Sequence, residues 1–82
     1  MRGLSKDQLA MLGEIYETGP VRIMDLAASL GRTPSATRNA VKRLKKRGLV
    51  DHTEITYAGR HGLSWFSTDR GDAVALRSAG TW

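Results

Sequence analysis

The stretch IMDLAASLGRTPSATRNAVKRLKKRGLV, from Ile23 to Val50, decides how the rest of the chain is read. Its first part places Leu26, Ala27 and Leu30 on one flank at helical spacing, which predicts a helix over about Met24 to Leu30. Gly31 ends that helix, because glycine takes the left-handed cap conformation freely. Thr33-Pro34 then starts another. Thr33 suits the N-cap, and Pro34 suits the first helical position, where no amide hydrogen bond is lost. Only Gly31 and Arg32 precede the cap, so the two helices form a helix-turn-helix candidate over about residues 24–47.

The second helix is also where the charge lies. Residues 31–50 hold seven Lys or Arg and no acid, whereas the remaining residues hold six bases and eight acids. The formal net charge of +5 therefore comes from this one segment. Advancing 100° per residue gathers Thr37, Ala40, Val41 and Leu44 into a narrow apolar seam. Ser35, Asn39, Lys42 and Lys46 fall on the opposite arc, flanked by Arg38, Arg43 and Lys45. Charge alone does not separate a polyanion-binding surface from a solvated outer face. The absence of acid does: Arg38–Lys42 and Lys42–Lys46 set like charges at i,i+4, which costs helix stability unless a polyanion relieves it. A membrane surface fits poorly, since that use wants Trp, Phe or several Leu on the apolar face and the seam offers only one Val and one Leu beside small residues.

Reading outward, Ser5-Lys6-Asp7-Gln8 is a capping-box pattern that opens a first helix, with Leu9, Leu12, Ile15 and Tyr16 as its apolar stripe. Thr18-Gly19-Pro20 stops it, and Val21 with Ile23 reads as a vestigial strand. Beyond Gly48 the period changes. His52–Tyr57 and Leu63–Thr68 are β-branched and aromatic, and the two glycines of Ala58–Gly62 predict a hairpin loop of several residues between them. Trp65, in phase with Leu63, is expected in the core, with Phe66 on the other face. Thr68-Asp69 caps a last helix with Ala73, Leu76 and Val74 facing in. The expected class is α+β: three helices, a β-hairpin and a short C-terminal helix, in a single domain over 1–82.

Composition narrows the function. Eighty-two residues make one small domain with a modest core. With no cysteine there is no disulfide or thiolate metal site, and no apolar run reaches the length of a membrane span. The expectation is an intracellular, cytoplasmic protein that touches no membrane. His52, His61, Asp51 and Glu54 match no metal-ligand spacing, and Asp69 and Asp72 read as helix N-terminal acids. No phosphate loop or activated nucleophile is visible, so neither an enzyme nor a cofactor is expected.

Four pieces of the chain resemble the winged helix-turn-helix domain of the multiple-antibiotic-resistance (MarR-like) repressors. They are the "LA..LG" helix and the "RL...GLV" ending of the Ile23–Val50 stretch, a wing-like segment over about 50–67, and "STDRGDAVAL" after it. The resemblance implies that helix 33–47 enters a major groove of double-stranded DNA while the 58–62 loop, as wing, reaches the adjacent minor groove or backbone. Arg60 and His61 then become wing contacts. Ser35, Arg38, Asn39 and Lys42 match groove-facing positions, and their chemistry suits base edges. Thr33, Arg43, Lys45, Lys46 and Arg47 suit phosphate oxygens. Such repressors usually carry long dimerising helices at both ends, and the chain is expected to lack them. A homodimer would then use the C-terminal segment with Trp82, or helix one. Ser67 stands where these proteins prefer a large aliphatic residue. A compact version of this kind resembles small DNA-binding proteins of phages, archaeal viruses and plasmids.

The reading that results is a sequence-specific DNA-binding regulator, a repressor acting by occlusion. Two alternatives use the same fold: a protein-interaction module, and a non-specific nucleic-acid-binding accessory factor in replication or recombination.

Overall fold

Six elements follow one another along residues 3–79, which the computed structural model describes apart from the side chains of Tyr57, Ser78 and Ala79. They are α1 (Lys6–Thr18), α2 (Ile23–Leu30), α3 (Pro34–Lys46), β1 (Val50–Tyr57), β2 (Arg60–Ser67) and α4 (Asp69–Ala79). Trp82 lies outside the described residues.

The capping box forms as the sequence predicts. Ser5 Oγ accepts from the Gln8 amide at 3.2 Å, and Gln8 Oε1 accepts from the Ser5 amide at 3.1 Å. The inward arc of α1 is Met11, Leu12 and Ile15, whereas Leu9 and Tyr16 are half-buried. The apolar stripe is thus rotated toward Met11, because α1 packs against α2, α3, α4 and β2 together and needs a wide buried arc. Val21 and Trp65 exchange two backbone hydrogen bonds, at 2.9 and 2.7 Å, which adds a one-residue strand beside β2. Ile23 is instead the first residue of α2.

The turn between α2 and α3 closes through Gly31, left-handed at φ 67°, ψ 34°, with the Arg32 amide donating to the Ala27 carbonyl at 2.9 Å. Arg32 also reaches Asp7 of α1 at 2.7 Å. The core joins Met11, Leu12 and Ile15 to Leu26, Val41, Leu44, Leu49, Val50, Trp65 and Ala75. Every element contributes to it.

The hairpin differs from the expected one. Pairing runs from Val50 opposite Ser67 to Tyr57 opposite Arg60, so the loop is only Ala58-Gly59 and not the five residues Ala58–Gly62. Both loop residues have positive φ, 53° and 77°, as a two-residue primed turn requires to match the twist of the strands. Gly62 stays in the ladder opposite Ile55. Arg60 and His61 are therefore strand residues beside the tip. Trp65 is buried, as expected. Leu63, on the same face, is 39% exposed; its partner Glu54 is exposed too, so the core ends below this rung.

The orientation of α4 also corrects the sequence reading. Gly71 and Ala75 are buried and Val74 is half-buried, while Ala73 and Leu76 face outward. The cause lies at the helix start. Thr68 Oγ1 donates to the Gly48 carbonyl at 2.6 Å and accepts from the Gly71 amide at 3.1 Å, and the Thr68 amide donates to the Leu49 carbonyl at 3.0 Å. A Cβ at Gly71 would lie 1.9 Å from the Leu49 oxygen, so only glycine allows this approach. The clamp sets the rotation of α4 before its apolar residues can. Ser67, half-buried, donates to the Asp72 carboxylate and ties β2 to the same helix. Among the described residues no helix is long and apolar enough to cross a membrane.

Candidate nucleic-acid interface

Helix α3 is held from its inner side. Thr37, Val41 and Leu44 are fully enclosed and Ala40 is half-buried, the seam that the helical arithmetic predicts. Thr33 Oγ1 accepts from the Ala36 amide at 3.2 Å and Pro34 follows, so the first turn is capped and fixed. At the other end Gly48, at φ 77°, lets the Leu49 amide return to the Leu44 carbonyl at 3.0 Å. With both ends tied, the opposite face is presented rigidly. Ser35, Arg38, Asn39, Lys42, Arg43, Lys45 and Lys46 are all exposed, and α3 contains no acid.

The cations are not equivalent. Lys45 Nζ lies 3.7 Å from Asp51 Oδ1. The Asp51 carboxyl is held below its usual range chiefly by the 2.8 Å hydrogen bond it accepts from the His52 amide; partial desolvation works against this, and Lys45 and His52 add smaller lowering contributions. An ionised Asp51 thus offsets part of the charge of Lys45. Arg47 is half-buried at the helix end, and its carbonyl accepts from Arg70 Nη1 at 3.4 Å. Arg38, Lys42, Arg43 and Lys46 enter none of the ion pairs described among these residues. Thr33 is exposed, but its hydroxyl is engaged in the cap.

At the hairpin tip Arg60 and His61 are exposed, with His61 Nδ1 3.4 Å from Thr56 Oγ1. They share a cleft of about 320 Å³ with Ile55, Ala58, Gly62 and Arg22. Sequence reasoning missed Arg22, whose guanidinium also meets Asp25 at 3.3 Å. The pairing of Val21 with Trp65 brings Arg22 beside the hairpin.

His52 and His61 sit far apart on the ladder. His61 pairs with Thr56, four residues along β1 from His52, or roughly 13 Å at the rise of a strand. His52 instead packs against Trp65 with the rings tilted by 44° and their centroids 4.7 Å apart. Among the described residues no three His, Cys, Asp or Glu gather as a metal would need.

The sequence profile of the MarR family matches residues 2–61. No curated protein matches the chain. Among solved structures, RV1404 from Mycobacterium tuberculosis is similar at 30% identity and TM-score 0.84, covering 94% of this chain and 52% of that one. A variant of ZitR from Lactococcus lactis is similar at 25% identity and TM-score 0.82, covering 94% and 51%. The transcriptional regulator SlyA, at 18% identity and TM-score 0.84 over 94% and 54%, shares the fold. The chain spans about half the length of each of these structures. With three helices leading into a hairpin wing, and a family profile matched over most of its length, the chain belongs to the MarR family of transcription regulators, which are not enzymes.

Proposed function

We infer that the chain binds double-stranded DNA as a sequence-specific regulator, with α3 in the major groove and the Ala58-Gly59 tip beside the adjacent minor groove or backbone. The observation that carries this reading is the outer face of α3: exposed, free of acid, and graded from Ser35, Arg38 and Asn39 to Lys45 and Lys46. Arginine can bond guanine bidentately, asparagine can bond adenine, and lysines at the far end need only a phosphate oxygen. Lys42 stands at the join between these two tasks. Arg60 supplies a cation suited to a narrow, electronegative minor groove, with His61 beside it, and Arg22 extends that basic edge. Binding needs no cofactor in this scheme, and regulation would be repression by occlusion of the bound site.

Selection of bound duplexes from a random pool tests it. A recovered motif is expected, and an inverted repeat with half-sites about 10 base pairs apart would mean that two copies bind together. Arg38→Ala or Asn39→Ala should then lose about 1–3 kcal/mol on the selected site and little on random duplex. Lys46→Ala should weaken both alike. Equal behaviour of all three variants would contradict the division of α3 into base-reading and phosphate-binding ends.

A further inference from the structure

Next to the C-terminal end of α3, an open trough of about 960 Å³ runs between α4, the end of α3 and the segment before α1. Its floor is apolar, formed by Leu4, Leu49 and Val74, with Ala73 at the edge. Its rim is cationic: Lys46 and Arg47 from the end of α3, and Arg70 and Arg77 from α4. None of the lining residues is an acid, and among the described residues no carboxylate pairs with Lys46, Arg70 or Arg77. Leu76, one turn from Ala73 on the same helix, is 55% exposed.

We propose that this trough is a docking site for an acidic amphipathic helix of a partner protein. Arg70, Ala73, Val74 and Arg77 recur at 0, 3, 4 and 7 along α4, the spacing by which one helix packs along another. Ala73 and Val74 are small enough to let a partner helix come close. The two arginines sit about 10 Å apart along the axis, matching carboxylates one heptad apart on the partner. Other occupants fit less well. Phosphate backbone would gain nothing from the apolar floor of Leu4, Leu49 and Val74. A second copy laid antiparallel would set Arg70 against Arg77. A trough this open and this large lies at the upper limit of small-molecule clefts, which bury most of their ligand. Helix-in-groove recognition uses what is here, an apolar floor flanked by charge.

The test uses a helical peptide of about 18 residues with a Leu stripe flanked by Glu, a second with Lys in place of Glu, and a third with Ser in place of Leu. Binding is read by fluorescence anisotropy and mapped by amide NMR shifts on the whole chain. Only the first peptide should bind, perturbing Leu4, Leu49, Ala73 and Val74. Arg77→Glu and, separately, Ala73→Glu should each weaken it at least tenfold. Both positions are exposed, and unchanged circular dichroism would confirm that each variant folds. Arg77→Glu should leave random-duplex affinity within twofold. The proposal is overturned if the Lys or Ser peptide binds equally, or if neither substitution matters. It is equally overturned if duplex DNA perturbs the trough and Arg77→Glu weakens duplex as much as peptide, or if sedimentation shows a dimer that Ala73→Glu dissociates.

Discussion

Thr37 sits in the middle of the seam of α3, wholly enclosed, and its hydroxyl finds no hydrogen-bond partner among the described residues. A buried, unpaired hydroxyl is destabilising, so Thr37→Val should raise stability by about 1 kcal/mol in thermal unfolding. A loss of that size would mean that the hydroxyl is satisfied after all. Gly71 is the opposite case. Its missing side chain is the condition for α4 to meet the Gly48-Leu49 turn, and Gly71→Ala should cost about 3 kcal/mol through forced backbone movement. Asp51 gives a dependence on pH. Its carboxyl titrates low in the folded chain, so its stabilising effect is present above the unfolded value of about 4 and is lost as pH falls through the folded one. Carboxyl NMR should show a depressed midpoint. Lys45→Ala should raise it only slightly, because the His52 amide is the larger cause.

Among the elements, α1, α2 and α3 were legible because each announces its start or stop in local chemistry: the Ser5–Gln8 box, Gly31, and Thr33-Pro34. The exposed and buried faces of α3 followed from the helical repeat alone. The hairpin loop was misjudged because Gly62 resembles a loop residue, yet it pairs with Ile55 within the ladder. What marks the true turn is positive φ at Ala58, which the sequence does not display. An alanine there is strained, so Ala58→Asn should stabilise the hairpin by about 0.5–1 kcal/mol, measured by chemical denaturation. No gain would argue against the two-residue turn. The rotation of α4 was equally hidden, since it rests on the Gly71 approach and the Thr68 clamp, contacts between residues some 20 positions apart. Candidate contacts on α3 were readable for the same reason as the helix itself. Arg22 was not, because a one-residue strand pairing carries almost no sequence pattern.

At the scale of the molecule, the fold separates two basic surfaces. One is the polar face of α3 with the hairpin tip. The other is the rim of the trough along α4, which shares Lys46 with the first. The net charge of +5 arises from residues 31–50, so the field of the whole protein is centred near α3 and would steer a polyanion to it. The most direct measurement is the affinity for duplex DNA across a range of salt concentrations. Neutralising about five to eight phosphates should give a log–log slope of roughly −4 to −7. A slope near zero, or no binding to duplex at low salt, would contradict α3 as a DNA-binding face.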